Sequence, residues 1–213
     1  RLLLHTQSQT PQSGWDIGPY AHVVVENSYD ELGRLEQKGV GGKTTVANRL
    51  QAVDYTYNIR GWLIGINNVD VAVTDDLFAF KLNYNDKEDV GGIGLYNGNI
   101  SETYWRSRTN NTKQGYYYHY DDLNRLQLAK YRRGLKNSIA NYSTEQIEYD
   151  KNGNLTRLKR KGVIGLGDFD TIDGLIYSYF PDSNRLKYVS DTADANEGFK
   201  NGTTGSNQDY KYD

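Results

Sequence analysis

Cysteine is missing from this chain of 213 residues, which removes disulfides and thiolate metal sites but leaves the compartment open. Methionine is missing too, and the 3 histidines, His5, His22 and His119, share no ligand spacing such as H-E-x-x-H, so neither metal nor cofactor is expected. No apolar run approaches the roughly 20 residues of a membrane-crossing helix, and no membrane span is expected in this segment. Charge of neither sign dominates: 25 Lys and Arg against 27 Asp and Glu leave a net charge of -2. A nucleic-acid partner is therefore not expected, because such proteins set a clustered basic face against several phosphates. The G-x-S-x-G elbow of serine hydrolases is also absent.

What the chain has in abundance is tyrosine (19) and glycine (22), a composition suited to many strands and tight turns. The tyrosines head a recurring frame: Tyr29-Asp30-Glu31-Leu32-Gly33-Arg34-Leu35, Tyr57-Asn58-Ile59-Arg60-Gly61-Trp62-Leu63, Tyr120-Asp121-Asp122-Leu123-Asn124-Arg125-Leu126 and Tyr149-Asp150-Lys151-Asn152-Gly153-Asn154-Leu155. A shortened copy is Tyr96-Asn97-Gly98-Asn99-Ile100, a lengthened one runs from Tyr179 through Asp182, Asn184 and Arg185 to Leu186, and Tyr212-Asp213 opens another. Asp or Asn after a strand turns its side chain onto the backbone two residues on, and Gly or Asn at the fifth position accepts positive φ. Each frame thus predicts the tip of a β-hairpin, with Tyr and Leu as a cross-strand pair. A repeat of about 30 residues indicates an array of one supersecondary unit rather than an enzyme domain built around a cleft.

Between the frames, residues 5–19 read as a polar connection and Val23-Val24-Val25 as a strand. Residues 44–53 fit a short helix or continued β structure equally. Val53, Tyr55 and Tyr57 form one strand face, as do Phe78, Phe80, Leu82 and Tyr84; Tyr116, Tyr118 and Tyr120 form another, opposed by Leu126 and Leu128. The organisation is one continuous array over 1–213, with an insertion at 67–92, where specialised function would reside, and a mobile polar loop at 191–209. Both ends fall inside repeats, so an excerpt of a longer polypeptide is expected.

Several constellations invite chemistry and carry a plainer reading beside it. Asp150 to Asn154 imitates the start of a calcium loop, but Leu155 and Lys161 stand where the EF-hand needs Gly and Glu, which leaves a turn. The acid pairs Asp75-Asp76, Glu88-Asp89 and Asp121-Asp122 read as solvated charge, with glycosidase chemistry the alternative. The basic runs Lys159-Arg160-Lys161 and Arg132-Arg133 read as solvated strand faces. Arg34, Arg125 and Arg185 share one frame position and are expected to bridge the carboxylates of neighbouring turns. The Tyr rows are either packing or a carbohydrate platform, with Trp62 and Trp105 the candidate ligand-stacking residues.

The frames YDELGRL, YNIRGWL, YDDLNRL and YDKNGNL resemble the tyrosine-aspartate repeat of the Rhs family, which includes bacterial polymorphic toxins, toxin-complex B and C components and the teneurins. The wording of YNGNISE is most similar to Bacteroidetes-type Rhs proteins. Asn58 in place of Asp, the short copy at Tyr96 and Phe180-Pro181 at Tyr179 depart from the pattern, and different turn geometry is expected there. The resemblance implies an all-β fold, an array of antiparallel hairpins forming a twisted, curved sheet that is part of a hollow shell. It implies further that the shell encloses an attached C-terminal toxin or effector, that any autoproteolytic core lies outside these residues, and that the location is secreted or cell-surface.

A dozen strands spaced about 4.8 Å apart would close on a bore of about 18 Å, too narrow for a 100-residue domain with a radius of gyration of about 13 Å. The chain is thus expected to be a non-catalytic piece of wall, its partners being the rest of its shell, the enclosed domain and other copies through open strand edges. The alternative expectation is a cell-surface module that binds carbohydrate or protein through exposed aromatic residues.

Overall fold

The computed structural model describes residues 3–8, 21–43, 49–134, 142–193, 196–201 and 208–212. They form thirteen strands and, among the described residues, no helix: β1 (Leu3–Ser8), β2 (Ala21–Tyr29), β3 (Leu35–Val40), β4 (Gln51–Tyr57), β5 (Leu63–Ile66), β6 (Phe78–Asn83), β7 (Glu102–Ser107), β8 (Gln114–Tyr120), β9 (Leu126–Arg133), β10 (Thr144–Tyr149), β11 (Leu155–Ile164), β12 (Asp168–Tyr179) and β13 (Leu186–Asp191). Strand order follows chain order, and every pairing assigned among the described strands is antiparallel. The fold is an all-β array of hairpins, as the repeat predicts. Most of the expected connection at 5–19 lies outside the described residues, but its start is strand, since β1 runs on to Ser8. Of the segment 44–53, residues 44–48 lie outside the described residues and Gln51 opens β4.

Five hairpins turn at the repeated frames, with Tyr29 opposite Leu35, Tyr57 opposite Leu63, Tyr120 opposite Leu126, Tyr149 opposite Leu155 and Tyr179 opposite Leu186. In each, the register slips by one residue beside the Tyr, leaving Glu36, Ile64, Gln127, Thr156 or Lys187 as the extra residue of a β-bulge on the returning strand. A bulge bends its strand and strengthens the local twist. It also corrects one expected pairing, because Leu128 lies opposite His119 and Ala129 takes the place opposite Tyr118.

By internal packing the chain falls into two compact units, residues 1–82 with 103–113, and residues 83–102 with 114–213. In the first, the loop after β5 lies against the sheet, and Val69 and Val73 pack with Ala79 and Tyr104 into a buried cluster. On β6 the covered residue is therefore Ala79, fully buried, whereas Phe78 on the other face is 43% exposed. The alternation in the sequence marks which residues share a face, but the inserted loop decides which face is covered.

In the second unit, the segment 85–92 lies over a face that carries charge. Glu102 is fully buried there and accepts hydrogen bonds from Asn83 Nδ2 (2.7 Å) and from the backbone N–H groups of Glu88 (2.8 Å) and Asp89 (2.9 Å). Arg132 then holds Asp89 at 2.8 Å, and His119 Nε2 lies 2.8 Å from the Gly91 carbonyl.

Candidate functional site

The repeated turns are built alike. At Tyr29, the Asp30 N–H donates to the Arg34 carbonyl (2.9 Å) and the Gly33 N–H to the Asp30 carbonyl (3.0 Å), while Asp30 Oδ1 accepts from the N–H groups of Leu32 and Arg34. Gly33, Gly61 and Gly153 have φ of 79°, 79° and 89°, and Asn124 takes the same place with 63°. Asn58 accepts from Arg60 and Trp62 as Asp30 does from its neighbours, so Asn in place of Asp leaves the turn unchanged. The lengthened turn does differ: Phe180 N–H reaches the Arg185 carbonyl, Asp182 carries the positive φ and Ser183 Oγ accepts from Arg185 N–H.

The turn carboxylates sit below the ordinary range. Asp30 is lowered first by the Arg34 backbone N–H and then by its guanidinium. For Asp121 desolvation is the largest influence and acts upward, but the combined N–H groups and guanidinium of the turn overcome it. Asp150 is lowered first by the Asn154 side-chain amide.

What joins one turn to the next is a second set of contacts on the same residues. Five of the seven motif tyrosines donate their hydroxyl to the carbonyl of the residue that closes the preceding frame: Tyr57 to Leu35 (3.0 Å), Tyr120 to Ile100 (2.9 Å), Tyr149 to Leu126 (2.9 Å), Tyr179 to Leu155 (2.8 Å) and Tyr212 to Leu186 (2.9 Å). Position six reaches forward. Arg34 and Arg125 bind their own turn carboxylates, Asp30 and Asp121, at 2.6 Å, donate to the carbonyls of Asn58 and Asp150 at 3.3 Å, and lie over the rings of Tyr57 and Tyr149. Arg185 lies over Tyr212 in the same way. The expected bridge to a neighbouring turn's carboxylate is thus corrected, because a guanidinium spent on its own Asp has only the next carbonyl and ring within reach.

Where the residue before the closing one is Asn, the link changes partner. Asn99 and Asn154 donate to Asn124 and Asn184 at 3.0 and 2.8 Å, helped by Asn97 and Asn152. Tyr96 itself, heading the short copy, is 76% exposed, and Gly98 has φ 96°.

The register separates two chemically different faces in the second unit. Tyr117, His119 and Lys130 lie on the face that holds Glu102 and the 85–92 segment, with Lys130 paired to Glu145. Tyr116, Tyr118 and Tyr131 lie on the other, where a row of ring contacts runs from Tyr118 through Tyr116, Tyr131 and Tyr142 to Phe169 at centroid spacings of 5.4 to 6.2 Å. The row is covered at Tyr131 and open at Tyr142 and Phe169, which are 46% and 39% exposed. Trp62 and Trp105 are both half-buried, and Arg60 lies 5.1 Å over the Trp62 ring.

Converging chemistry is sparse. A groove of about 560 Å³ holds Asp75 and Asp76, and burial, then the charges of Asp54 and Asp75, push the Asp76 carboxyl up. The groove's Arg49 is paired with its Glu26 at 2.6 Å. Among the described residues no three His, Cys, Asp or Glu side chains converge as metal ligands, and no helix is long and apolar enough to cross a membrane. The described part of 191–209 is bonded to the sheet: Phe199 N–H reaches Asp173, Asn201 binds Asp191, and Asp209 N–H reaches the Lys187 carbonyl.

Comparison with protein-family profiles and with curated protein sequences finds no match. Among solved structures, the chain is similar to a crystal structure of TcdB2-TccC3-Cdc42, with a TM-score of 0.51 and 12% identity, covering 83% of this chain and 9% of that one. It also aligns with the Tc holotoxin pore of Photorhabdus luminescens at a TM-score of 0.39 and 14% identity, covering 80% of this chain and 10% of that one. At such identities the likeness to the first is one of fold, and this chain spans under a tenth of its length.

Proposed function

We propose that the chain is a wall segment of an Rhs-type shell, acting by sequestering and shielding an attached toxin or effector domain, and that it has no catalytic role of its own. The observation that carries this reading is the bond from a motif tyrosine to the end of the preceding frame, made at five junctions. Such a link lets hairpins be added one after another, each contacting its neighbours, which is how a wall is extended and not how a cleft is enclosed. The fold likeness to TcdB2-TccC3-Cdc42, a toxin-complex structure, agrees with it. In this reading the aromatic row faces the cargo, the charged face meets solvent, and the shell works outside the producing cell or at its surface.

The test is a photo-crosslinker placed in the full polypeptide. At Tyr142 it is expected to capture the enclosed domain, and at Lys130 it is expected not to. Capture from Lys130 alone, or from neither site, overturns the proposal. A second reading rests on the exposed rings of Tyr142 and Phe169, whose faces offer a stacking surface for carbohydrate at the cell surface. It predicts glycan-array hits that vanish with Tyr142→Ala, and an array without hits removes it.

A further inference from the structure

The hairpin of β10 and β11 departs from the other four that turn at the frames. Those four slip register once, beside the Tyr, but this one slips twice. Glu145 pairs with Lys159 and Glu148 with Arg157, which leaves an extra residue at 146–147. Gln146 has φ 51°, a left-handed backbone that a residue with a side chain keeps only where its surroundings hold it there. The ladder on the other side of β11 is interrupted as well, since Arg160 pairs with Asp173 and Lys161 with Thr171, making Ile172 extra. Bulges of this kind re-aim side chains. Between the two lies a groove of about 520 Å³ on the charged face, whose lining includes Gln146, Arg157, Lys159, Asp170, Thr171 and Thr192. Gly174, directly opposite Lys159, gives it a floor without a side chain, and a Cβ there would meet Thr192 Oγ1 at 2.4 Å.

The lining is short of partners. Among the described residues the side chains of Gln146, Lys159 and Thr171 make no hydrogen bond and no ion pair. Lys159 faces Glu145 across the ladder, but that carboxylate is taken by Lys130 and has Lys161 3.9 Å away as well. Arg157 lies 3.8 Å from Glu148, and both are so exposed that solvent screens the pair. Asp170 Oδ1 accepts from the Thr171 N–H (2.7 Å), and the Thr192 hydroxyl donates to the Gly174 carbonyl (2.9 Å) while its oxygen still accepts. The groove thus sets two cations against one carboxylate, among an amide and two hydroxyls. A phosphate polymer, with many charges and few donors, would meet Asp170 unfavourably. A sugar acid brings one carboxylate for Lys159 and Arg157, and hydroxyls that donate to Asp170 and Gln146 and accept from Thr171.

We propose that this groove binds an acidic sugar, a uronate unit of a polysaccharide, by its carboxylate. Access in an assembled shell rests on the outward position given to the charged face above, which the crosslinker at Tyr142 and Lys130 reads separately. Calorimetry on the full polypeptide with trigalacturonate, and with its methyl ester, which keeps the sugar and removes the charge, tests the site itself. The acid is expected to bind, and the ester to bind about tenfold more weakly. Lys159→Gln is expected to weaken the acid about tenfold and leave the ester unchanged, whereas Lys161→Gln, whose parent ammonium leans on Glu145, changes neither. Thr171→Val is expected to weaken both forms alike, because its hydroxyl serves the sugar and not the charge. Absence of binding, equal binding of acid and ester, or an acid affinity indifferent to Lys159→Gln overturns the proposal. So does a triphosphate that binds more tightly than the acid, the mark of a site for charge alone. On the parent protein, which needs no variant to fold, the acid is expected to slow amide exchange at Gln146, Thr171 and Thr192 but not at Tyr142; exchange unchanged at the first three overturns it too.

Discussion

Removing a single hydroxyl, by Tyr149→Phe, tests the turn-to-turn ladder most directly. The ring stays, so its pairing with Leu155 and the guanidinium of Arg125, 4.6 Å from the ring centroid, are retained. Only the 2.9 Å bond to the Leu126 carbonyl is lost. A hydrogen bond of this kind contributes about 1 kcal/mol net, rising towards about 3 kcal/mol if the carbonyl is left without a substitute. In a domain of this size 1 kcal/mol lowers the melting temperature by about 2–4 °C. Because a repeat array can lose cooperativity, amide exchange in β9 and β10 accompanies the thermal scan and is expected to rise there more than in β2 and β3. Tyr188→Phe is the control, since the Tyr188 hydroxyl makes no hydrogen bond among the described residues. If the two variants melt together and exchange alike, the ladder contributes no stability and the reasoning fails.

Other perturbations address other contacts. Glu102→Gln sets an amide NH2 against donors that now share a carboxylate and is expected to cost about 1–3 kcal/mol, with faster exchange at the Glu88 and Asp89 amides; an unchanged unfolding midpoint would contradict the buried hub. Gly153→Val forces a branched residue to φ 89° and is expected to cost about 1–3 kcal/mol, whereas Gly153→Asn is expected to cost less because Asn124 already fills that position in another turn; equal melting temperatures for the two would count against the turn assignment. Asp30, Asp121 and Asp150 have folded-state values below their ordinary 3.8, so their stabilising contribution is present above that pH and is lost as pH falls through the depressed values. Carboxyl-carbon titration by NMR is expected to give midpoints under 3.8 for all three, and midpoints at or above it would refute the hydrogen-bonded turns.

The turns were legible because their chemistry is local. Asp followed three residues later by Gly or Asn specifies where the chain reverses, and Tyr and Leu at the flanks specify the pair that closes it. The bulges at Glu36, Ile64, Gln127, Thr156 and Lys187 were not legible, because no residue type marks them and they follow from joining a turn of fixed geometry to a twisted ladder. The tyrosine hydroxyl bonds span 20 to 26 positions and depend on which frame becomes the spatial neighbour. Glu102 had one faint signal, its two-residue spacing from the buried Tyr104, which places a carboxylate on a covered strand face. Which face of β6 is covered was not legible for a related reason: period two groups Phe78 with Phe80, but the cover over Ala79 comes from Val69 and Val73, an insertion outside the repeat.

These contacts divide the work between what repeats and what does not. The frame residues join each hairpin to the next through groups at one edge, so a lost member weakens one junction and leaves the others standing. The non-repeating segments instead fasten across the sheet face, through Glu102 at 85–92 and through Asp173 and Asp191 at 191–201: Glu102 accepts from the Glu88 and Asp89 N–H groups, Asp173 from the Phe199 N–H with Arg160 on its other oxygen, and Asp191 from the Gly174 and Ala193 N–H groups, so each segment relies on a buried carboxylate. A buried acceptor of that kind tolerates no isosteric exchange, since even an amide reverses a donor. Substitutions in the frames should therefore act by degrees and add across distant junctions, while substitutions at the three carboxylates should detach a whole segment. Hydrogen exchange distinguishes the two patterns: Tyr57→Phe combined with Tyr149→Phe is expected to change protection near each site alone, whereas Asp173→Asn is expected to release the amide of Phe199 and its neighbours together.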